Sequence, residues 1–292
     1  MKHVRMAGLA TLACLFLAVD VASAKAVMIA PAPIAKRVAV SDLVVVGKVT
    51  GFADKSVKAE PFPGAKTEVE YQIAIVKVED TLSGKAVKEI KVGFIPPATG
   101  PGPGPIRRYP SFSLARDEEA CLFLVKHPTQ DFYIGQAYYD KIAKAGNTNF
   151  AKEVDEAKRY TKLLADPKAN LASKNAEDRF LTAAMLLSRY RTARPSATPA
   201  KQEPIEAAQS KAIMLALADA DWDAKPTVGF AMTPQNTFYL LGAQAKDGWT
   251  QPRDFKEFPA AAKKWLKDNA EKFQIQRYVT ETKKEDTKKD SK

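Results

Sequence analysis

The spacing of apolar residues changes near Asn147, and this change divides the chain into two parts with different secondary structure. Between residues 67 and 78, apolar side chains recur at every second position, which is typical of a β-strand. From residue 150 onward they recur at steps of three and four, which is typical of helices that bury one face. The sequence therefore predicts an α+β fold, with a β-rich first part and a helical second part.

In the first part, short runs rich in β-branched and other apolar residues predict five β-strands. They cover residues 43–49, 67–78, 87–94, 120–126 and 132–136. The connections between them lack helical spacing, so a parallel α/β sheet, which needs crossover helices, is not expected. The pattern favours a compact five-stranded β-barrel or sandwich over residues 25–145.

In the second part, the spacing predicts five helices, at residues 150–164, 176–192, 204–218, 237–246 and 255–273. Because no segment repeats at a fixed period, an α-helical bundle-like domain over residues 146–278 is favoured over a helical-repeat array. Residues 281–292 contain charged residues and no apolar one. We therefore predict a disordered charged tail over residues 279–292.

The first 24 residues have the pattern of a secretory signal peptide. Lys2 and Arg5 precede an apolar run over residues 6–19, and the small residues 22–24 follow it. We expect cleavage near Ala24 and a periplasmic or extracellular protein without a transmembrane segment. Lipid attachment at Cys14 is the weaker alternative, because the apolar run continues beyond that cysteine.

Loss of such a leader leaves Cys121 as the single cysteine and His127 as the single histidine. An intramolecular disulfide and a multi-histidine metal site are then not expected. Along an extended strand the two residues lie about 20 Å apart, so a cysteine-histidine catalytic pair is not predicted. We expect Cys121 in the core and His127 at the surface, where the strand ends.

Two acidic segments have features of a metal-binding or catalytic site. The DADWD segment at 219–223 starts like a calcium-binding loop, but Ala224 and Phe230 occupy positions that need glycine and a carboxylate. A polar turn with Trp222 packed inward is expected, and a weak cation site is the alternative. The adjacent carboxylates at 117–119 are expected in a solvated turn, because a catalytic acid pair must face across a substrate.

A catalytic serine is not predicted either, because neither Ser41 nor Ser188 lies in the Gly-x-Ser-x-Gly motif of a nucleophile elbow. The sequence predicts no catalytic residue, no cofactor and no metal site.

Residues 96–110, PPATGPGPGPIRRYP, combine proline and glycine so densely that they predict an exposed loop. Prolines remove the amide donors that a phosphate-binding loop needs. A loop that proline restricts loses less entropy on binding, so Arg107, Arg108 and Tyr109 are the predicted partner-binding residues.

The formal net charge is +11, from 45 basic and 34 acidic residues. Basic residues at 107–108, 152–162, 189–194 and 263–264 often alternate with acidic ones, which is typical of solvated helix faces. No nucleic-acid-binding motif is present, so specific nucleic-acid recognition is not expected. An envelope protein or an acidic envelope polymer is the expected partner.

Three stretches, at residues 41–49, 71–84 and 119–125, resemble the OB-fold-like β-domain of secreted bacterial proteins, which is similar to the netrin and metalloproteinase-inhibitor module. The resemblance implies a five-stranded OB-like barrel. It does not imply protease inhibition, because that module places an N-terminal cysteine on the protease metal, whereas position 25 is lysine.

Together these observations predict a non-catalytic binding protein of the periplasm or cell envelope. Two alternatives remain open. One is an envelope hydrolase with carboxylates from both parts at their junction, and the other is a basic polyanion-binding protein whose affinity falls with salt.

Overall fold

The computed structural model describes residues 30–96, 111–196, 198–224 and 232–279. It has a β-rich N-terminal part and a helical C-terminal part, which confirms the predicted α+β class. The predicted leader at 1–24 and nearly all of the predicted tail lie outside the described residues.

The strands of the N-terminal part are β1 (Leu43–Phe52), β2 (Val57–Ala59), β3 (Val69–Ser83), β4 (Glu89–Phe94), β5 (Glu119–Lys126), β6 (Tyr133–Ile134) and β7 (Lys141–Ala143). Five of them form a closed ring, in which β1 pairs with β3 and β5, β3 with β4, and β6 with both β4 and β5. All these pairings are antiparallel except the parallel pair of β4 and β6. Two short strands extend the sheet, β2 beside β3 and β7 beside β5.

Seven α-helices lie in the described part of the chain, one before the ring and six after it. A two-stranded antiparallel sheet of β8 and β9 accompanies the later helices. The elements are α1 (Ile34–Val40), α2 (Phe150–Ala165), α3 (Pro167–Leu171), α4 (Ala176–Arg191), β8 (Lys201–Pro204), α5 (Ala207–Ala218), α6 (Pro234–Leu241), α7 (Phe258–Asn269) and β9 (Gln276–Val279).

The five predicted strands and five predicted helices are all present, with shifted ends where local chemistry intervenes. Helix α6 begins after Thr233, whose hydroxyl accepts a hydrogen bond from the amide of Asn236. It ends at Leu241, because the next residue, Gly242, adopts a left-handed conformation (φ 70°). That glycine stops the helix five residues before the predicted end at Lys246. Helix α1, β2, β7, α3 and the β8–β9 pair were not predicted.

The described residues form two large apolar cores, one inside the ring and one among the helices. The ring core includes Leu43, Val45, Val76, Val92, Leu122 and Leu124. The helical core includes Leu187, Ile213, Leu217, Phe238, Trp265 and Leu266.

Helix α1 connects the two parts of the chain, because it packs against the outer face of the ring and against helices α2 and α4. On one side, Val38 packs in a cluster with Val44 of β1 and Phe123 of β5. On the other side, Ala35 packs with Met185 of α4. Strands β1 and β5 are therefore buried on both faces, which explains their continuous apolar sequence.

A buried arginine also connects α1 to the ring. Arg37 donates from Nη1 to the carbonyl of Tyr139 (2.7 Å), and its guanidinium lies 4.7 Å from the ring centre of Phe123. Burial lowers the pKa of Arg37, and the charge of Asp140 offsets part of that effect. A polar contact and an aromatic contact therefore both fix the orientation of the helix.

We expect Phe123→Ala to lower the free energy of unfolding by about 3–5 kcal/mol, because it removes a fully buried ring from the α1 contact. Lys36→Ala is the matched control, since Lys36 is the exposed residue of the same helix and should change stability by less than about 0.5 kcal/mol. Chemical denaturation measures both. Equal effects of the two substitutions would contradict the described packing.

Candidate functional site

A cleft of about 470 Å³ lies where the β-rich and helical parts meet. We call it the junction cleft, and it is bounded by the end of α1, the start of β1, the end of α4 with the residues that follow it, and β9. Its charged and aromatic lining consists of Asp42, Arg189, Tyr190, Arg194, Arg277 and Tyr278.

Arg189 is positioned by the end of α1. It lies in the last turn of α4, and its Nε donates to the backbone carbonyl of Ala39 (2.8 Å). Carbonyl groups at a helix C-terminus lack partners within the helix and carry partial negative charge, so a guanidinium is favoured there. This bond uses Nε, and the two terminal nitrogens remain as donors toward a ligand.

Arg194 lies just beyond α4 and pairs with Asp42, which lies between α1 and β1. Asp42 is held firmly, because its Oδ2 accepts the amide of Lys126 (2.9 Å) and its own amide donates to the carbonyl of Leu124 (2.8 Å). Asp42 is the sole carboxylate among the described residues that line the cleft, and it is already paired.

Arg277 comes from the last described strand, β9. Its side chain is half exposed and forms a long ion pair of 3.6 Å with Glu203 on β8. An exposed pair of this length contributes little stability, so it does not hold the guanidinium strongly. Next to it, Arg191 of α4 lies 4.9 Å from the ring centre of Tyr278, and this contact ties β9 to α4.

Three arginines line one concave surface, two from the segment at 189–194 and one from β9, and its described lining includes a single carboxylate. Guanidinium groups bind carboxylates and phosphates through paired, charge-assisted hydrogen bonds. A concave surface also excludes water and concentrates the electrostatic field of its lining. The junction cleft is therefore suited to bind an anionic group.

The predicted contact residues Arg107, Arg108 and Tyr109 lie outside the described residues. The basic segment at 189–194 was predicted as part of a solvated helix face. Two of its residues, Arg189 and Arg194, line the cleft. Arg277 was not singled out, because nothing in the sequence around it indicates that β9 returns to α4.

Cys121 is fully buried, as predicted. Burial raises its pKa to about 12, while the charge of Arg37 acts in the opposite direction. The thiol is therefore protonated and shielded at neutral pH, which is not the environment of a nucleophile.

The prediction of a surface position for His127 was wrong, because its side chain is only 2% exposed. The chain folds back after β5, with the amide of His127 bonded to the carbonyl of Phe132 (2.9 Å). The imidazole then packs against the rings of Phe132 (4.6 Å between centres) and Tyr71 (5.4 Å). Its Nδ1 accepts the amide of Thr129 (3.3 Å).

The acidic segments form turns and ion pairs. Trp222 packs into the helical core as predicted, and Asp221 accepts the amides of Asp223 and Ala224. Glu118 pairs with Lys141 (2.6 Å), so this part of the predicted solvated turn is shielded rather than open. Within the described ranges, no group of three or more histidine, cysteine, aspartate or glutamate residues could hold a metal ion.

None of the described helices is long and apolar enough to cross a membrane. Comparisons of the chain with protein-family models, with curated proteins and with solved structures gave no significant match. The site must therefore be interpreted from its own geometry.

We expect Cys121 to resist a thiol reagent in the folded protein, because its environment disfavours the thiolate and blocks access. In a Cys14→Ser variant, which leaves one thiol, modification by Ellman's reagent at pH 8 should be at least 100-fold slower than in denaturant. Lys36→Cys in the same background is the exposed control and should react within seconds to minutes. Comparable rates at positions 36 and 121 would be inconsistent with burial.

Stability should fall as pH drops below the ordinary histidine pKa of about 6.5. Burial lowers the pKa of His127, and the backbone of Glu60 offsets only part of this shift. The unfolded chain therefore binds a proton that the folded chain does not, and stability is lost by at most about 1.4 kcal/mol per pH unit below 6.5.

His127→Phe keeps a ring between Tyr71 and Phe132 but cannot be protonated. The difference in unfolding free energy between pH 7 and pH 5 should be smaller in this variant than in the original protein. Denaturant titrations at several pH values measure the two slopes. Identical slopes would show that His127 does not contribute to acid sensitivity.

Proposed function

We propose that this protein is a non-catalytic binding protein whose ligand presents an anionic group to the junction cleft. The observation that carries the proposal is that Arg189, Arg194 and Arg277 line one cleft whose single described carboxylate is already paired. Several positive charges along one cleft create a positive potential that attracts an anion. Arginines fixed by Ala39 and Asp42 also lose less conformational entropy on binding.

The size of the cleft favours a compact anionic group over a long polymer track. Its volume of about 470 Å³ lies within the usual range for sites that bind small molecules. An acidic envelope polymer is still a compatible partner if a terminal or side group enters the cleft. The predicted contact loop with Arg107, Arg108 and Tyr109 would then offer a second contact.

Binding is favoured over hydrolysis at this junction. A two-carboxylate hydrolase needs an acid and a base facing each other across the substrate. The described lining supplies only Asp42, which comes from the β-rich part and is engaged by Arg194 and by the amide of Lys126. This arrangement supports positioning of the arginine rather than proton transfer.

The ring of five strands supports the proposal that the N-terminal part is an OB-like barrel. Its order places β1 between β3 and β5, and β6 closes the ring between β5 and β4. OB-folds are five-stranded Greek-key barrels that commonly bind extended ligands. Together with the predicted leader, this favours an exported binding protein of the cell envelope.

Substitutions that neutralise charges test the cleft directly. Isothermal titration calorimetry at low ionic strength measures their effect, with inorganic pyrophosphate as the probe. Arg189→Gln combined with Arg277→Gln removes two guanidinium charges and should weaken binding at least tenfold. Raising the ionic strength should weaken binding to the original protein.

The matched control is Lys263→Gln with Lys264→Gln, which removes the same charge from helix α7. This control should bind pyrophosphate almost as the original protein does. If the control and the cleft variant lose affinity equally, the effect is one of overall charge and the cleft assignment is wrong.

A further inference from the structure

A second cavity lies on the ring beside the junction cleft, and its lining is mainly apolar. We call it the apolar groove, with a volume of about 700 Å³. Its walls come from β3, β4, β6 and the segments next to them. The apolar lining includes Phe62, Tyr71, Phe94, Ile95, Phe112 and Ile134.

The apolar groove and the junction cleft adjoin each other. Gln136 and Ala193 line both cavities. Of the two residues that follow Ala193 in the chain, Arg194 lines the junction cleft and Pro195 lines the apolar groove. A ligand that extends past Ala193 would therefore leave a basic surface and reach an apolar one.

The rim of the groove exposes apolar surface that the described residues do not cover. Ile95 is 49% exposed, and the inner wall consists of rings fixed by close packing. Glycine permits that packing, because a Cβ atom at Gly135 would lie 2.2 Å from the ring of Phe112. Rigid apolar walls bind an apolar chain without reorganising.

We propose that the two cavities form one site for a single-chain anionic amphiphile, with its phosphate or carboxylate group in the junction cleft and its alkyl chain in the apolar groove. The headgroup half of this inference rests on the proposed function, and the adjoining groove supplies the other half. A monomeric amphiphile fits better than a membrane surface, because both cavities are concave and the arginines line a cleft.

Alkyl phosphates of increasing length test the proposal in the full chain, using methyl, hexyl and decyl phosphate below their micelle concentrations. Affinity measured by calorimetry should rise about fourfold for each methylene that enters the groove. Decanol should bind much more weakly than decyl phosphate, because it lacks the anionic group. Affinity independent of chain length, with methyl phosphate still bound, would overturn the groove assignment while leaving the anion site intact.

Ile95→Asp is the variant for the groove, because this exposed side chain can be replaced without opening the core. This substitution should abolish the rise in affinity with alkyl chain length. It should leave the affinity for methyl phosphate within about threefold of that of the original protein. Leu215→Asp is the matched control, a similarly exposed position on α5, and should keep the gain. Loss of the gain in both variants would contradict the proposal.

Arg189→Gln with Arg277→Gln separates the two halves of the inference. This variant should bind decyl phosphate and decanol with similar, weak affinity. If it binds decyl phosphate as tightly as the original protein, the headgroup does not occupy the cleft and both proposals fail. Binding to vesicles of anionic phospholipid is measured last. Tighter binding to the vesicles than to decyl phosphate would favour a membrane surface over a monomeric ligand.

Discussion

The packing of helix α1 between the ring and the later helices is the constraint on which the rest of the structure depends. This helix has only seven residues, yet five of them are buried. A helix of this length is not stable alone in water, so tertiary contact must hold it. It receives that contact from β1 and β5 on one side and from α2 and α4 on the other.

The junction cleft follows from this same packing. Arg189 is bonded to the end of α1 at Ala39, and Arg194 is paired with Asp42 three residues later. The two arginines therefore hold the end of α4 against the connection between α1 and β1. The contacts that join the two parts of the molecule also set the spacing of the charges in the cleft.

Much of the fold could be predicted from periodicity, because its central strands and longer helices bury regular faces. Helix α1 could not, since seven residues after a proline-rich segment carry too few turns for a pattern. The position of His127 was predicted wrongly because the sequence does not indicate that the chain folds back onto Tyr71. The arginine lining of the cleft was missed because nothing in the sequence indicates that β9, which carries Arg277, pairs with β8 and packs against the end of α4.

The outer face of β5 has a consequence for the order of folding. Cys121 lies on this face, in the cluster that Val154 and Ala157 of α2 complete. A ring that closes before α2 docks leaves the thiol uncovered, and an oxidising compartment would then allow it to form mixed disulfides. In such a compartment, docking of the helix would protect the cysteine from oxidation, and the speed of that step would set how much of the chain reaches a reduced native state.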